Sequence, residues 1–161
     1  MTETFHLLIP LGFSLILGGL VGLEQESRSR WAGFRTHVMV SLTVAFFLII
    51  GITKKIDLGH VMEGIIAGIG FLGGGTILKL TNKMEVKGLT TASTIWLSAG
   101  IGMTCGVEMY GLATVAALIS VTVLLVGGLF EGKVTESLSP DVSAPVNPKL
   151  LQRKAADEQD V

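Results

Sequence analysis

The residues best able to do chemistry cluster between two apolar runs: Glu24, Gln25, Glu26, Arg28, Arg30 and Arg35, with Thr36 and His37 behind them. Glu24 and Arg28 stand four apart, as do Glu26 and Arg30, with the acid on the N-terminal side, the better orientation for helical pairs. Two readings stay open. Such pairs at a solvated helix end are worth under about 1 kcal/mol each. A carboxylate at the edge of an apolar span is different, because an ionisable group at membrane depth takes a partner. Glu24 fits that case, and Arg35, which opens the next apolar run, is its nearest expected partner. His37 is either a proton relay or a hydrogen-bonded residue at a helix start. Downstream, Thr90, Thr91, Ser93 and Thr94 follow Gly88. Hydroxyls so placed cap a helix or bond back to its carbonyls. The positive end of that helix could also receive a carboxylate such as Glu24, or a phosphate. The sequence predicts one polar cluster of Glu24, Glu26, Arg35, Thr36, His37, Thr90 and Thr91. Within it, Glu24 pairs with Arg35 and the Thr90 and Thr91 hydroxyls complete the hydrogen bonds. The cluster either forms scaffold or engages a protein partner or an anionic lipid headgroup.

Little else in the chain suggests reactivity. Asp57, His60 and Glu63 share a short connection, but their spacing fits no specific metal site. No metal and no cofactor are expected. No nucleophile–base pair or phosphate loop appears, so an enzyme is not expected. Cys105 is the only cysteine, which rules out an intrachain disulfide and leaves it as a packing residue.

The elements that position these residues follow from where charge is missing. Residues 4–23, 36–53, 64–78, 88–107 and 109–130 contain no Asp, Glu, Lys or Arg. A membrane span needs about 20 apolar residues, within a range of roughly 17–25. Four windows meet that directly, and Lys79 can snorkel from the end of the shorter third. The expected fold is an all-α membrane protein, a bundle of about five transmembrane helices. The first helix should project a turn or two past Leu23, carrying the Glu/Arg pairs. The start of the chain has no positive n-region and no small-residue cleavage signature, so the first span is not expected to be a signal peptide.

Lys and Arg give the orientation. Ten of them fall in the first loop, the third loop and the region after 132, against Lys54 and Lys55 in the second loop. Positive residues favour the cytoplasmic face, so the N-terminus is expected outside and the C-terminus in the cytoplasm. Residues 1–132 are expected to form the transmembrane domain. Residues 133–161 hold three of the four prolines and few large apolar groups, and are expected to form a disordered tail. A net charge of −1 gives no pull toward nucleic acid.

One stretch stands out among the spans. Six of the twelve residues from Gly64 to Gly75 are glycine. Each interior Gly costs a helix about 1 kcal/mol against Ala, but hydrocarbon forces the backbone to pair with itself. Gly64/Gly68 and Gly70/Gly74 have the small-xxx-small spacing that admits a second helix at close range. The expectation is that this is the central, most tightly packed helix, with Gly64, Gly68, Gly70, Gly73 and Gly74 as its packing face. Gly18/Gly22 and Gly102/Gly106 offer similar faces elsewhere.

Four motifs in order carry a family resemblance. They are Gly22-Leu23-Glu24-Gln25-Glu26, Ala32-Gly33-Phe34-Arg35-Thr36-His37, Gly68-Ile69-Gly70-Phe71-Leu72-Gly73-Gly74-Gly75, and Val86-Lys87-Gly88-Leu89-Thr90-Thr91-Ala92 with Trp96. Over about residues 7–130 the chain resembles the MgtC/SapB family. It departs from the family pattern at Gln25, where a Glu-Arg-Glu run is usual, and in having a short tail where longer members carry a soluble C-terminal domain. The resemblance implies a multi-pass protein of the bacterial inner membrane, without enzymatic activity. It further implies a regulator linked to magnesium homeostasis and virulence that binds a membrane partner such as the F-type ATP synthase. A small ion or solute transporter is the alternative. The expected partners are the lipid bilayer and a second copy or another membrane protein.

Overall fold

The computed structural model describes the backbone of residues 2–80 and 85–138, and the side chains of 6–77 and 87–128. Five helices account for most of it: α1 (Thr2–Ser27), α2 (Phe34–Thr53), α3 (Leu58–Gly75), α4 (Leu89–Gly106) and α5 (Tyr110–Leu138). A short antiparallel hairpin, β1 (Leu78–Leu80) with β2 (Glu85–Lys87), links α3 to α4. Spans within α1, α2, α3 and α5 are long and apolar enough to cross a membrane. α4 is as long as α3 but carries Thr90, Thr91, Ser93, Thr94, Ser98 and Thr104. Of these, Thr91, Thr94 and Ser98 are buried among the neighbouring helices.

The chain divides into two compact units, Met1–Val126 and Gly127–Val161. In the second, the described residues continue α5 to Leu138. The tail expected from 133 therefore begins as helix, and its remainder from 139 lies outside the described residues.

Two apolar clusters build the first unit. One joins Val40, Val44 and Leu48 of α2, Ile65 and Ile69 of α3, and Ile95 and Ala99 of α4. The other joins Leu17 and Val21 of α1, Ile101 and Cys105 of α4, and Ala113 and Ala117 of α5. α4 contributes to both. Ten of its residues are buried, against three in α3. The expectation that the Gly64–Gly75 helix is central is therefore corrected: α4 takes that place.

The same correction applies to the glycines. A Cβ on Gly64, Gly68 or Gly74 would meet nothing within 4 Å, and one on Gly70 only Trp96 at 3.8 Å. Gly73 alone sits under a neighbour, with the Trp96 indole 3.3 Å from where its Cβ would be. Close approach happens at the other two faces. A Cβ on Gly18 would lie 2.6 Å from Ser41 Cβ, and one on Gly22 2.7 Å from Phe34 Cα. On α4, a Cβ on Gly102 would lie 2.3 Å from the Ser41 carbonyl oxygen, and one on Gly106 2.8 Å from Leu48 Cβ. These contacts fix direction: α1 runs antiparallel to α2, and α4 runs parallel to α2.

Connections are short and specific. Asp57 accepts a bond from Gly59 N–H and so caps α3. Because α3 begins at Leu58, His60 and Glu63 lie within the helix and not in the connection before it. Gly88 precedes α4 at φ +94°, where any Cβ would lie 1.9 Å from the Thr76 carbonyl oxygen. Only glycine satisfies both constraints.

Candidate functional site

The polar motifs gather at one end of the bundle, where α1 finishes and α2 and α4 begin. Glu24 lies in the last turn of α1 and is 7% exposed. Its Oε1 accepts from Arg28 Nε, and its Oε2 accepts from Gln25 Nε2 at 3.0 Å. Arg28 reaches on to α5, where its Nη2 donates to the Leu125 carbonyl at 3.3 Å. One guanidinium thereby neutralises a buried carboxylate and ties the first helix to the last. Arg28 directly follows α1 and stands four residues from Glu24, the spacing at which side chains meet on a helix.

The expected Glu24–Arg35 pair does not form. Ser29 takes a left-handed conformation (φ 52°), and the Ser29 and Arg30 amides donate back to the Glu26 and Gln25 carbonyls. This tight reversal starts α2 with Arg35 and Thr36 exposed. Thr90 and Thr91 do not bond Glu24 either. Thr90 is half-buried, and Thr91 is buried with its carbonyl accepting from Thr94 Oγ1 at 3.0 Å.

Glu26 does something else. Gly33, the residue before α2, has no side chain to cap it, and Glu26 Oε2 takes the Phe34 amide at 2.8 Å in its place. A carboxylate at a helix N-terminus satisfies an orphan donor and meets the positive end of the helix dipole. Glu26→Ala should cost about 1 kcal/mol, and Glu26→Gln, which keeps an acceptor without the charge, about half as much. Thermal melts in detergent would check this, and equal melting of all three proteins would refute the cap.

His37 is fully buried and links two helices. Its Nδ1 lies 2.8 Å from the Gly33 carbonyl, which can only accept, so Nδ1 carries a proton. Its Nε2 lies 3.0 Å from Thr94 Oγ1 on α4, a hydroxyl whose one proton is shared between this nitrogen and the Thr91 carbonyl. Of the two readings of His37, this geometry matches the hydrogen-bonded helix-start residue.

The rest of this polar seam lies outside the cluster expected from the sequence. Gln25 is fully buried, and since its amide nitrogen faces Glu24, its Oε1 is turned from the carboxylate. Ser41 and Ser98 are fully buried as well. Among the described residues, Gln25 Oε1, Ser41 Oγ and Ser98 Oγ have no hydrogen-bond partner. Spacing could have found the serines: Ser41 is one turn beyond His37, and Ser98 one turn beyond Thr94. The seam therefore passes through the α1/α2/α4 junction, where Gly18 and Gly102 let the backbones close on Ser41. It joins three helices at that crossing. At the opposite end, His60 Nδ1 lies 3.0 Å from Asp57 Oδ2 in an exposed pair.

Comparison with known proteins places this arrangement in context. The profile of the MgtC family matches residues 11–132. Protein MgtC of Salmonella typhimurium is 40% identical over 116 residues, 71% of this chain and 49% of that protein. Protein MgtC of Brucella abortus is 38% identical over 120 residues, 73% of this chain and 50% of that protein. An uncharacterized protein of Synechocystis is 40% identical over 113 residues, 69% of this chain and 47% of its own length. The chain thus spans about half the length of the curated relatives it matches. No solved structure matches it.

Proposed function

Since the chain belongs to the MgtC family, we propose that it is a non-enzymatic regulator of the bacterial inner membrane. It acts by packing against another membrane protein, with the F-type ATP synthase as the first candidate, and serves magnesium homeostasis and virulence. Arg28, Arg30, Arg35 and Lys87, at the end where α1 finishes and α2 and α4 begin, would face the cytoplasm under the positive-inside rule.

One observation carries the reading against a transporter. Ion paths are lined with ionisable groups or exposed carbonyls and need room for the ion. Here the buried carboxylate, Glu24, is closed off by Arg28 and Gln25. Beyond it, the polar seam narrows to the Gly18–Ser41–Gly102 crossing, which lacks room even for an added methyl group. A regulator needs no path, only a rigid body and an outer face. Exposed apolar residues on α5 such as Leu112, Val115, Leu118 and Ile119 supply that face.

Reconstituted into liposomes that enclose a magnesium-sensitive dye, the full chain should pass no more magnesium than protein-free vesicles. A tagged copy should recover F-type ATP synthase subunits from solubilised bacterial membranes. Saturable flux in the first experiment would replace this reading with transport, and recovery of no synthase subunit in the second would remove the named partner.

A further inference from the structure

Two of the glycines that do not pack against another helix in this chain, Gly64 and Gly68, border a groove. α2 and α3 diverge, leaving an apolar cavity of about 700 Å³ between Met39 and Phe47 on one side and Gly64, Gly68 and Leu72 on the other. Gly64 and Gly68 have nothing within 4 Å of their Cβ positions, so the missing side chains are what open it. At its loop end it is bordered by Ile56 and His60. A hydrocarbon-filled membrane leaves no such volume empty, since a void forfeits the dispersion contacts of its walls.

We propose that this groove holds one acyl chain of an anionic phospholipid, whose phosphate lies at the α2–α3 loop. Two observations choose this occupant over a protein helix. The first is charge. Lys54 and Lys55 follow α2 directly, are exposed, and have no ion pair among the described residues. Lys55 is held in the left-handed conformation (φ 54°) while the Ile56 amide bonds back to the Gly51 carbonyl at 2.9 Å. Helices that end this way usually place glycine at that position; here a strained cation stands there instead, beside a groove residue. Asp57, the nearest carboxylate, is engaged by Gly59 N–H and His60. Glu63 on α3 is exposed and does not line the groove.

The second is length. From His60 to Leu72 the groove follows α3 for about 18 Å at 1.5 Å per residue. One leaflet is about 15 Å deep, half of a roughly 30 Å hydrocarbon core. The groove therefore accommodates a single chain from a single leaflet. A packed helix from another protein would not be limited to that depth and would not require cations at its mouth.

Native mass spectrometry of the full chain tests this, after detergent extraction and incubation with equal amounts of phosphatidylglycerol and phosphatidylcholine. The parent should retain one lipid per chain, with phosphatidylglycerol preferred. Near a membrane surface each lysine contributes about fivefold in affinity for anionic lipid, so Lys54→Gln with Lys55→Gln should reduce the preference at least tenfold. Gly68→Leu should fill the groove, because its Cβ would meet nothing within 4 Å. It should cut retention of both lipids at least tenfold with an unchanged melting temperature. Gly111→Leu, at another open glycine away from the groove, should retain lipid as the parent does. A parent that holds no lipid, or a Gly68→Leu protein that holds as much as the parent, would overturn the proposal. So would a Gly68→Leu protein that changes from dimer to monomer by light scattering, which would give the groove to a second copy. None of these outcomes depends on the partner proposed above.

Discussion

Gly102→Ala should lower stability by close to 3 kcal/mol, whereas Gly74→Ala should leave it within about 1 kcal/mol of the parent. The added methyl at 102 would lie 2.3 Å from the Ser41 carbonyl oxygen and 3.0 Å from Val44 Cβ. The first of these is backbone and cannot rotate aside, so α2 and α4 must separate. Overpacking typically costs about 1–3 kcal/mol, and a backbone clash belongs at the upper end. Separation would also loosen the His37–Thr94 bond one helical level away. At position 74 the methyl meets nothing within 4 Å, which leaves only the helix-propensity difference of about 1 kcal/mol or less in favour of Ala. Melting of both variants in the same detergent decides it. Similar melting points would mean that the α2–α4 crossing is not as described.

Removing Arg28 should be the next most damaging change, and removing Arg35 should matter little. Arg28→Ala leaves the Glu24 carboxylate, 5% exposed as a side chain, with Gln25 as its one described partner. Breaking a fully buried pair costs about 3–5 kcal/mol. Arg28 is itself 26% exposed, so about 2 kcal/mol is expected after allowance for solvent. Glu24→Gln should cost less, because a neutral amide can still meet Gln25 and needs no counter-charge. The double variant should lose less than the sum of the two. Arg35→Ala should stay within about 0.5 kcal/mol, as for an exposed side chain away from such features. Additive losses for Glu24 and Arg28, or a larger loss at Arg35 than at Arg28, would return the pairing to the residue at the start of α2.

Helix number and placement were legible in the sequence because they depend on one-dimensional quantities. Five windows without formal charge became five helices, and the Glu24–Arg28 spacing correctly extended α1 to Ser27. The gathering of Glu24, Glu26, His37 and Thr91 at one end was also legible, since alternating spans return each connection to a predictable side. What the sequence left open was rotation about each helix axis. Gly18/Gly22, Gly64/Gly68, Gly70/Gly74 and Gly102/Gly106 share one spacing, yet only the first and last bring a helix of this chain to close range. Spacing records that a close approach is allowed and not which neighbour makes it. The arginine choice failed for a related reason. Arg28 and Arg35 are both near Glu24 along the chain, and the left-handed Ser29 between them decided which could reach it. The connection after α3 carries two short strands paired with Leu78 opposite Lys87, which no sequence pattern announced. Three-residue strands carry too few positions for an alternating pattern to register.

The parallel pairing of α2 with α4 also bears on how the protein is made. Helices enter a membrane in the order of synthesis, and α2 arrives before α4, one of its two main partners, exists. An entire helix, α3, must emerge and turn back before Gly102 can reach Ser41. In that interval the face of α2 carrying His37 and Ser41 has only α1 beside it. Its polar groups then depend on the Gly33 carbonyl and on whatever the insertion machinery provides. Contacts distant in sequence slow folding because a loop must close before they form. A chain interrupted between α3 and α4 would display this half-satisfied surface to the bilayer, the kind of defect that membrane quality-control proteases can detect.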